Sequence, residues 1–155
     1  MQILRTLNAL FAALLLGFST VAVAGHDTET DKNDVILAGH DAVAYFTENK
    51  PVLGSAEYTA VYNGAIYRFS SKRNRDTFRD DPARYAPQYG GFCAYGMTFG
   101  KKFEVNGKAF EIVDGKLFVN KNERVYKTWK EDVPKHIREA NSAWPRVEQT
   151  PARDL

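Results

Sequence analysis

The chain contains one cysteine, Cys93. No intrachain disulfide can staple the fold, and neither a Cys-rich zinc site nor an iron–sulfur cage can be assembled within one chain. Whatever structure forms must be held by buried apolar side chains. The aromatic residues are the main supply: both tryptophans, all eight tyrosines and every phenylalanine except Phe11 and Phe18 lie after residue 24. Burying one such ring stabilises a fold by roughly 1.5–3 kcal/mol. A length of 155 residues suits one domain with a processed segment and is too short for a two-domain enzyme.

Residues 1–24 read as an export signal. Arg5 is their only charged residue, Leu7–Phe18 is apolar apart from Asn8, and Ala22-Val23-Ala24 presents small residues where a signal peptidase reads. The apolar run is shorter than the ~20 residues of a membrane span, and no cysteine follows it for lipid attachment. Cleavage after Ala24 is expected, giving an exported protein, periplasmic or secreted, with no stable membrane span. In an oxidising compartment a lone thiol is buried, paired with another chain or liganded. The polar stretch 25–34 lacks any period and reads as a flexible lead-in. Its Gly25-His26 start offers a weak Cu(II) chelate, against which stands the plain reading of a loose end.

Charge excludes one class of function. The formal net charge is +2, whereas a nucleic-acid binder needs a basic surplus. Lys72, Arg73, Arg75 and Arg79 form a basic cluster, but Asp76, Asp80 and Asp81 interleave with them, which reads as a solvated helix face. The histidines stand at 26, 40 and 136, too scattered to define a catalytic triad. His136, between Lys135 and Ile137 and near Arg138, is expected to be exposed.

The patterned part of the chain runs from Val35. Residues 57–62 and 65–69 are β-type and flank Asn63-Gly64, which predicts a type I′ hairpin with Tyr58, Ala60 and Tyr62 on one face. Ser70-Ser71 can cap a short helix over Lys72–Asp80 with Phe78 facing the core, stopped at Pro82. A second β region follows: runs at 103–105, 109–113 and 116–119, separated by Asn106-Gly107 and Asp114-Gly115, predict a meander or two hairpins. Val125, Trp129 and Val133 recur every four residues, the stripe of a helix. Asp132 can cap another helix through Ile137 and Ala140 to about Ser142, ended by Trp144-Pro145, and residues 148–155 read as a tail. This order of elements predicts an α+β fold: a small antiparallel sheet of hairpin plus meander, a short central helix and C-terminal helices.

The segment richest in chemistry is Tyr89-Gly90-Gly91-Phe92-Cys93-Ala94-Tyr95-Gly96-Met97. Glycines permit close backbone approach, and Phe92 and Tyr95 can wall the Cys93 sulfur as a ligand site. Met97 is the one methionine beyond Met1. Thiolate with thioether is a donor set that favours Cu(I), and His40 can join it. Against this, a buried cysteine and a gap-filling methionine are ordinary core residues.

Several stretches carry a family resemblance. Gly39-His40-Asp41-Ala42-Val43-Ala44-Tyr45-Phe46 resembles the G-Y-D-P-V-A-Y-F opening of exported YHS-domain proteins, with His40 in place of the usual tyrosine. Residues 62–78 are similar to that family's hairpin and helix. Asp81-Pro82 and the block from Tyr85 to Gly96 resemble its most distinctive segment, and Ile112–Leu117 with Trp144-Pro145 its C-terminal half. The resemblance covers about residues 35–147 and implies a small α+β metal-binding module, copper included. In metal-linked members the pattern runs D-P-V-C-G-M and then Y-F-C-S-x-x-C. Here Ala44, Ser70 and Asn74 occupy the cysteine positions, and neutral serine and asparagine are poor ligands for soft ions.

Three functions follow. The first is a binding module for a metal ion or small ligand near Cys93, with Phe92 and Tyr95 around it, or with Met97 and His40 as further metal ligands. The second is a structural or protein-interaction domain with an inert Cys93. The third is a cysteine-dependent enzyme, for which no histidine lies near Cys93 in sequence to act as base.

Overall fold

The Asn63-Gly64 pair forms the predicted turn, with φ of 49° and 77°. It joins β1 (Ser55–Tyr62) to β2 (Ala65–Phe69) as an antiparallel pair with a register shift between Ser55 and Thr59. The structure, a computed structural model, describes residues 27–155; the expected signal segment at 1–24 and the Gly25-His26 pair lie outside the described residues. Asp114-Gly115 makes the second such turn, joining β3 (Phe110–Val113) to β4 (Lys116–Val119). Between and around these hairpins lie α1 (Ala44–Thr47), α2 (Lys72–Asp80), α3 (Pro82–Tyr85), α4 (Ala94–Met97), α5 (Glu123–Lys130) and α6 (Val133–Val147). The fold class is α+β, as the order of elements predicts.

Local chemistry sets the helix boundaries. Ser71 accepts a hydrogen bond from the Asn74 N–H, Asn122 from that of Val125 and Asp132 from that of Lys135, so α2, α5 and α6 each start on a capping side chain. Two expectations need correction. Residues 103–105 form no strand, because their backbone is engaged elsewhere: the Phe103 carbonyl accepts from the Cys93 N–H, and the Val105 backbone bonds Glu29. The meander is therefore a single hairpin. Helix α6 does not end near Ser142 but continues through Pro145 to Val147. Proline there removes only one bond of the helical ladder, and the Trp144 ring is anchored between Lys102 and Tyr89.

Two cores share one wall. Ile36, Leu37, Tyr45, Tyr67, Phe69, Phe78 and Cys93 pack in the first, and Tyr89, Met97, Phe118, Trp129, Ala140 and Ala143 in the second. Strand β4 serves both: Leu117 and Val119 enter the first core and Phe118 the second. Trp129 is fully buried, beside Phe118 and Tyr126. Trp129→Ala is expected to cost about 3–5 kcal/mol, seen as a large fall in melting temperature. Its Nε1 has no hydrogen-bond partner among the described residues, so Trp129→Phe should cost much less.

The first and last described segments meet. Asp27 and Glu29 donate backbone hydrogen bonds to the Glu148 and Gly90 carbonyls. Lys102, its side chain fully buried, bonds Asp27 Oδ2 at 3.0 Å and the Glu148 and Thr150 carbonyls, and lies 5.1 and 5.2 Å from the Phe92 and Trp144 ring centres. Nearby Glu29 is buried with Oε2 unpartnered, and desolvation pushes its carboxyl up to about 7. A raised carboxyl favours the folded state at low pH; that contribution is lost as pH rises from the ordinary carboxylate range through about 7. Glu29→Gln is therefore expected to raise stability by about 2 kcal/mol at pH 8 and to change it little at pH 4, read from melts at both.

Candidate functional site

Tyr89, Gly90 and Gly91 take φ of 55°, 61° and 86°, three successive left-handed residues. Glycine is required at 90 because the chain turns there against the Asp27 carbonyl, with which a Cβ would collide. The turn is secured by Tyr89, whose hydroxyl donates to Asn141 Oδ1 at 2.9 Å. It delivers Cys93 to the start of α4.

The Cys93 thiol is buried and its hydrogen bonding is complete. Sγ accepts from the backbone N–H groups of Gly96 and Lys121 at 3.5 and 3.3 Å and donates to Asn120 Oδ1 at 3.6 Å. Asn120, itself fully buried, also accepts from the Tyr95 N–H. Burial pushes the thiol above its ordinary range, partly offset by those backbone donors. The sulfur is thus held as a neutral thiol, and a nucleophile needs the opposite environment.

Cys93 also lines a cavity of about 310 Å³, with Tyr95, Gly96, Phe99, Phe103, Lys121, Asn122, Arg124 and Val125. Phe99 and Phe103 remain 66% and 42% exposed at this site. The bare Cα of Gly96 lets the Phe103 ring lie against α4; a Cβ would collide with it. Lys121 Nζ pairs with Glu104 Oε1 at 2.8 Å and sits 5.3 Å from the Phe103 ring centre.

The residues singled out in the sequence fall in different places. Cys93 and Tyr95 share the cavity. Phe92 faces the other way, towards Lys102. Met97 packs in the second core, whereas Cys93 belongs to the first. His40 is buried beside Gly107, its Nδ1 bonded to the Leu37 carbonyl at 2.9 Å. Neither Met97 nor His40 lines the Cys93 cavity. His136, expected to be exposed, is instead buried: Nδ1 bonds the Trp129 carbonyl at 2.8 Å and the ring stands edge-on to Tyr95. Phe99, Phe103, Lys121 and Arg124 were not legible as site residues, since only folding gathers the segment after α4, the exit from β4 and the first turn of α5; the two phenylalanines flanking Gly100-Lys101-Lys102 were the one available signal.

Around Ala44, Ser70 and Asn74, the positions that the family resemblance aligned with cysteines, the chain builds a hydrogen-bonded knot. Asp41 is fully buried. Its Oδ1 accepts from the Val43 and Ala44 N–H groups, and its Oδ2 from the Ser70 N–H, the Ser70 hydroxyl and Asn74 Nδ2, the last three at 2.7–2.8 Å. These donors are satisfied by a carboxylate and present no soft ligand. No group of three or more His, Cys, Asp or Glu residues able to hold a metal ion occurs among the described residues. The side chains at positions 44, 70 and 74 therefore do not fit a thiolate-bound metal.

The fold is a two-hairpin α+β scaffold with a small cavity beside Cys93. Residues 43–89 match the YHS domain, so that stretch of the chain is a YHS domain. No curated protein and no solved structure matches it significantly. The YHS domain suggests metal binding, but the matched stretch stops before Cys93, so the cavity lies beyond it.

Two outcomes are expected. Native protein should react slowly with iodoacetamide at neutral pH and rapidly once unfolded in guanidinium; fast native reaction would restore the nucleophile reading. Asp41→Ala should cost about 3 kcal/mol or more by chemical denaturation, because it strands buried donors, and Ser70→Ala about 1 kcal/mol.

Proposed function

We propose that this YHS-domain protein is a binding module for a small organic ligand, held without covalent chemistry in the cavity beside Cys93. The cavity itself carries the reading. At about 310 Å³ it falls at the small end of the usual range for ligand sites, and it presents two exposed phenylalanine rings where a soluble protein gains nothing from displaying them. The buried neutral thiol and the lack of a histidine in the lining favour binding over catalysis. The leader at 1–24 supports export to the periplasm or the exterior as part of this reading.

Cu(I) is the second reading, favoured by the one sulfur that lines the cavity. Its weakness is the separation of the donors: Met97 and His40 lie in other surroundings.

The test is an NMR screen of the purified protein against neutral one- and two-ring aromatic fragments, beside an anaerobic Cu(I) titration. Fragments are expected to shift the amides of Tyr95, Gly96, Phe103 and Lys121, and the Phe99→Ala/Phe103→Ala double variant to abolish the shifts. A silent screen defeats the proposal. Stoichiometric Cu(I) uptake that disappears in Cys93→Ser would replace it with the copper reading.

A further inference from the structure

The charge around the cavity indicates what it binds. Lys121 and Arg124 are its only charged lining residues, and no acidic side chain is among them. Lys121 is already paired, with Glu104. The Arg124 side chain is exposed and has no hydrogen-bond or ion-pair partner among the described residues. The site therefore carries one uncompensated cation beside an aromatic wall. Tyr95 stands edge-on to Phe99 with ring centres 5.4 Å apart, and Phe103 lies under the Lys121 ammonium.

Resting on the cavity as the ligand site, we infer that its occupant is a small aromatic monocarboxylate. Each part of that description answers one feature. Flat rings stack on or meet the edges of Phe99, Phe103 and Tyr95, and in doing so remove exposed apolar surface from water. A guanidinium matches a carboxylate through two parallel N–H···O bonds, so Arg124 selects the acid group. Because Glu104 offsets Lys121, a single negative charge balances the site and a second would be unmatched. The volume, about 310 Å³, suits a ligand of one or two fused rings.

Isothermal titration of the purified protein with 2-naphthoate and with 2-naphthamide tests the assignment, since the two differ in charge and hardly in shape. The acid is expected to bind about ten-fold more tightly than the amide. Arg124→Gln, at an exposed position, should remove that preference by weakening the acid far more than the amide. Phe103→Leu should weaken both ligands alike, and unaltered melting curves establish that both variants are folded. Equal binding of acid and amide, or a preference that survives Arg124→Gln, overturns the carboxylate assignment and leaves the cavity as a neutral aromatic site. If neither compound binds the parent protein, the ligand site itself is refuted.

Discussion

The buried Asp41 carboxylate is the constraint on which much of the first half of the fold depends. A fully buried carboxylate is costly unless its oxygens are saturated, and here the saturation comes from five neutral donors on three segments. The start of α1, the end of β2 and the first turn of α2 are consequently held at fixed distances from one point. The chain cross-links those segments with hydrogen bonds alone. Tyr45 extends the arrangement, its hydroxyl donating to the Gly107 carbonyl at 2.5 Å and so reaching the loop before β3.

Strand β4 then joins the two halves. A strand that faces solvent on one side carries one apolar face, but β4 is covered on both, so successive residues enter different cores. The segment from Cys93 to Met97 crosses the same boundary. Its two sulfurs consequently end in different surroundings, although they stand four residues apart in the sequence. Asn120, immediately after β4, ties that crossing in place through Cys93 and the Tyr95 N–H. The thiol lines the cavity, donating to the Asn120 side chain and accepting from the Gly96 and Lys121 backbone.

The cavity beside Cys93 is accordingly a by-product of how three segments meet. The segment after α4 brings Phe99 and Phe103, the exit from β4 brings Lys121, and the first turn of α5 brings Arg124 and Val125. The YHS stretch supplies the first hairpin and α1 to α3, and every residue that lines the cavity comes from the chain beyond it. A fold does not by itself fix the chemistry of a site, which must be read from the residues that line it.

What the sequence determined by itself was local. Asn63-Gly64 and Asp114-Gly115 dictate their hairpins because both turn residues adopt positive φ. Ser71, Asn122 and Asp132 set helix starts because each satisfies an N–H that the helix leaves unpaired. The four-residue stripe through Trp129 marks a buried helix face because side chains at that spacing lie above one another. Tertiary structure alone decided the rest. It drew the backbone of residues 103–105 away from a strand, carried α6 through Pro145 by anchoring Trp144, and buried His136 against the Trp129 carbonyl. It also separated Cys93, Met97 and His40 and assembled the cavity from distant residues. Spacing along a chain specifies which side chains share a face of one element, but which faces meet is settled only when the elements pack.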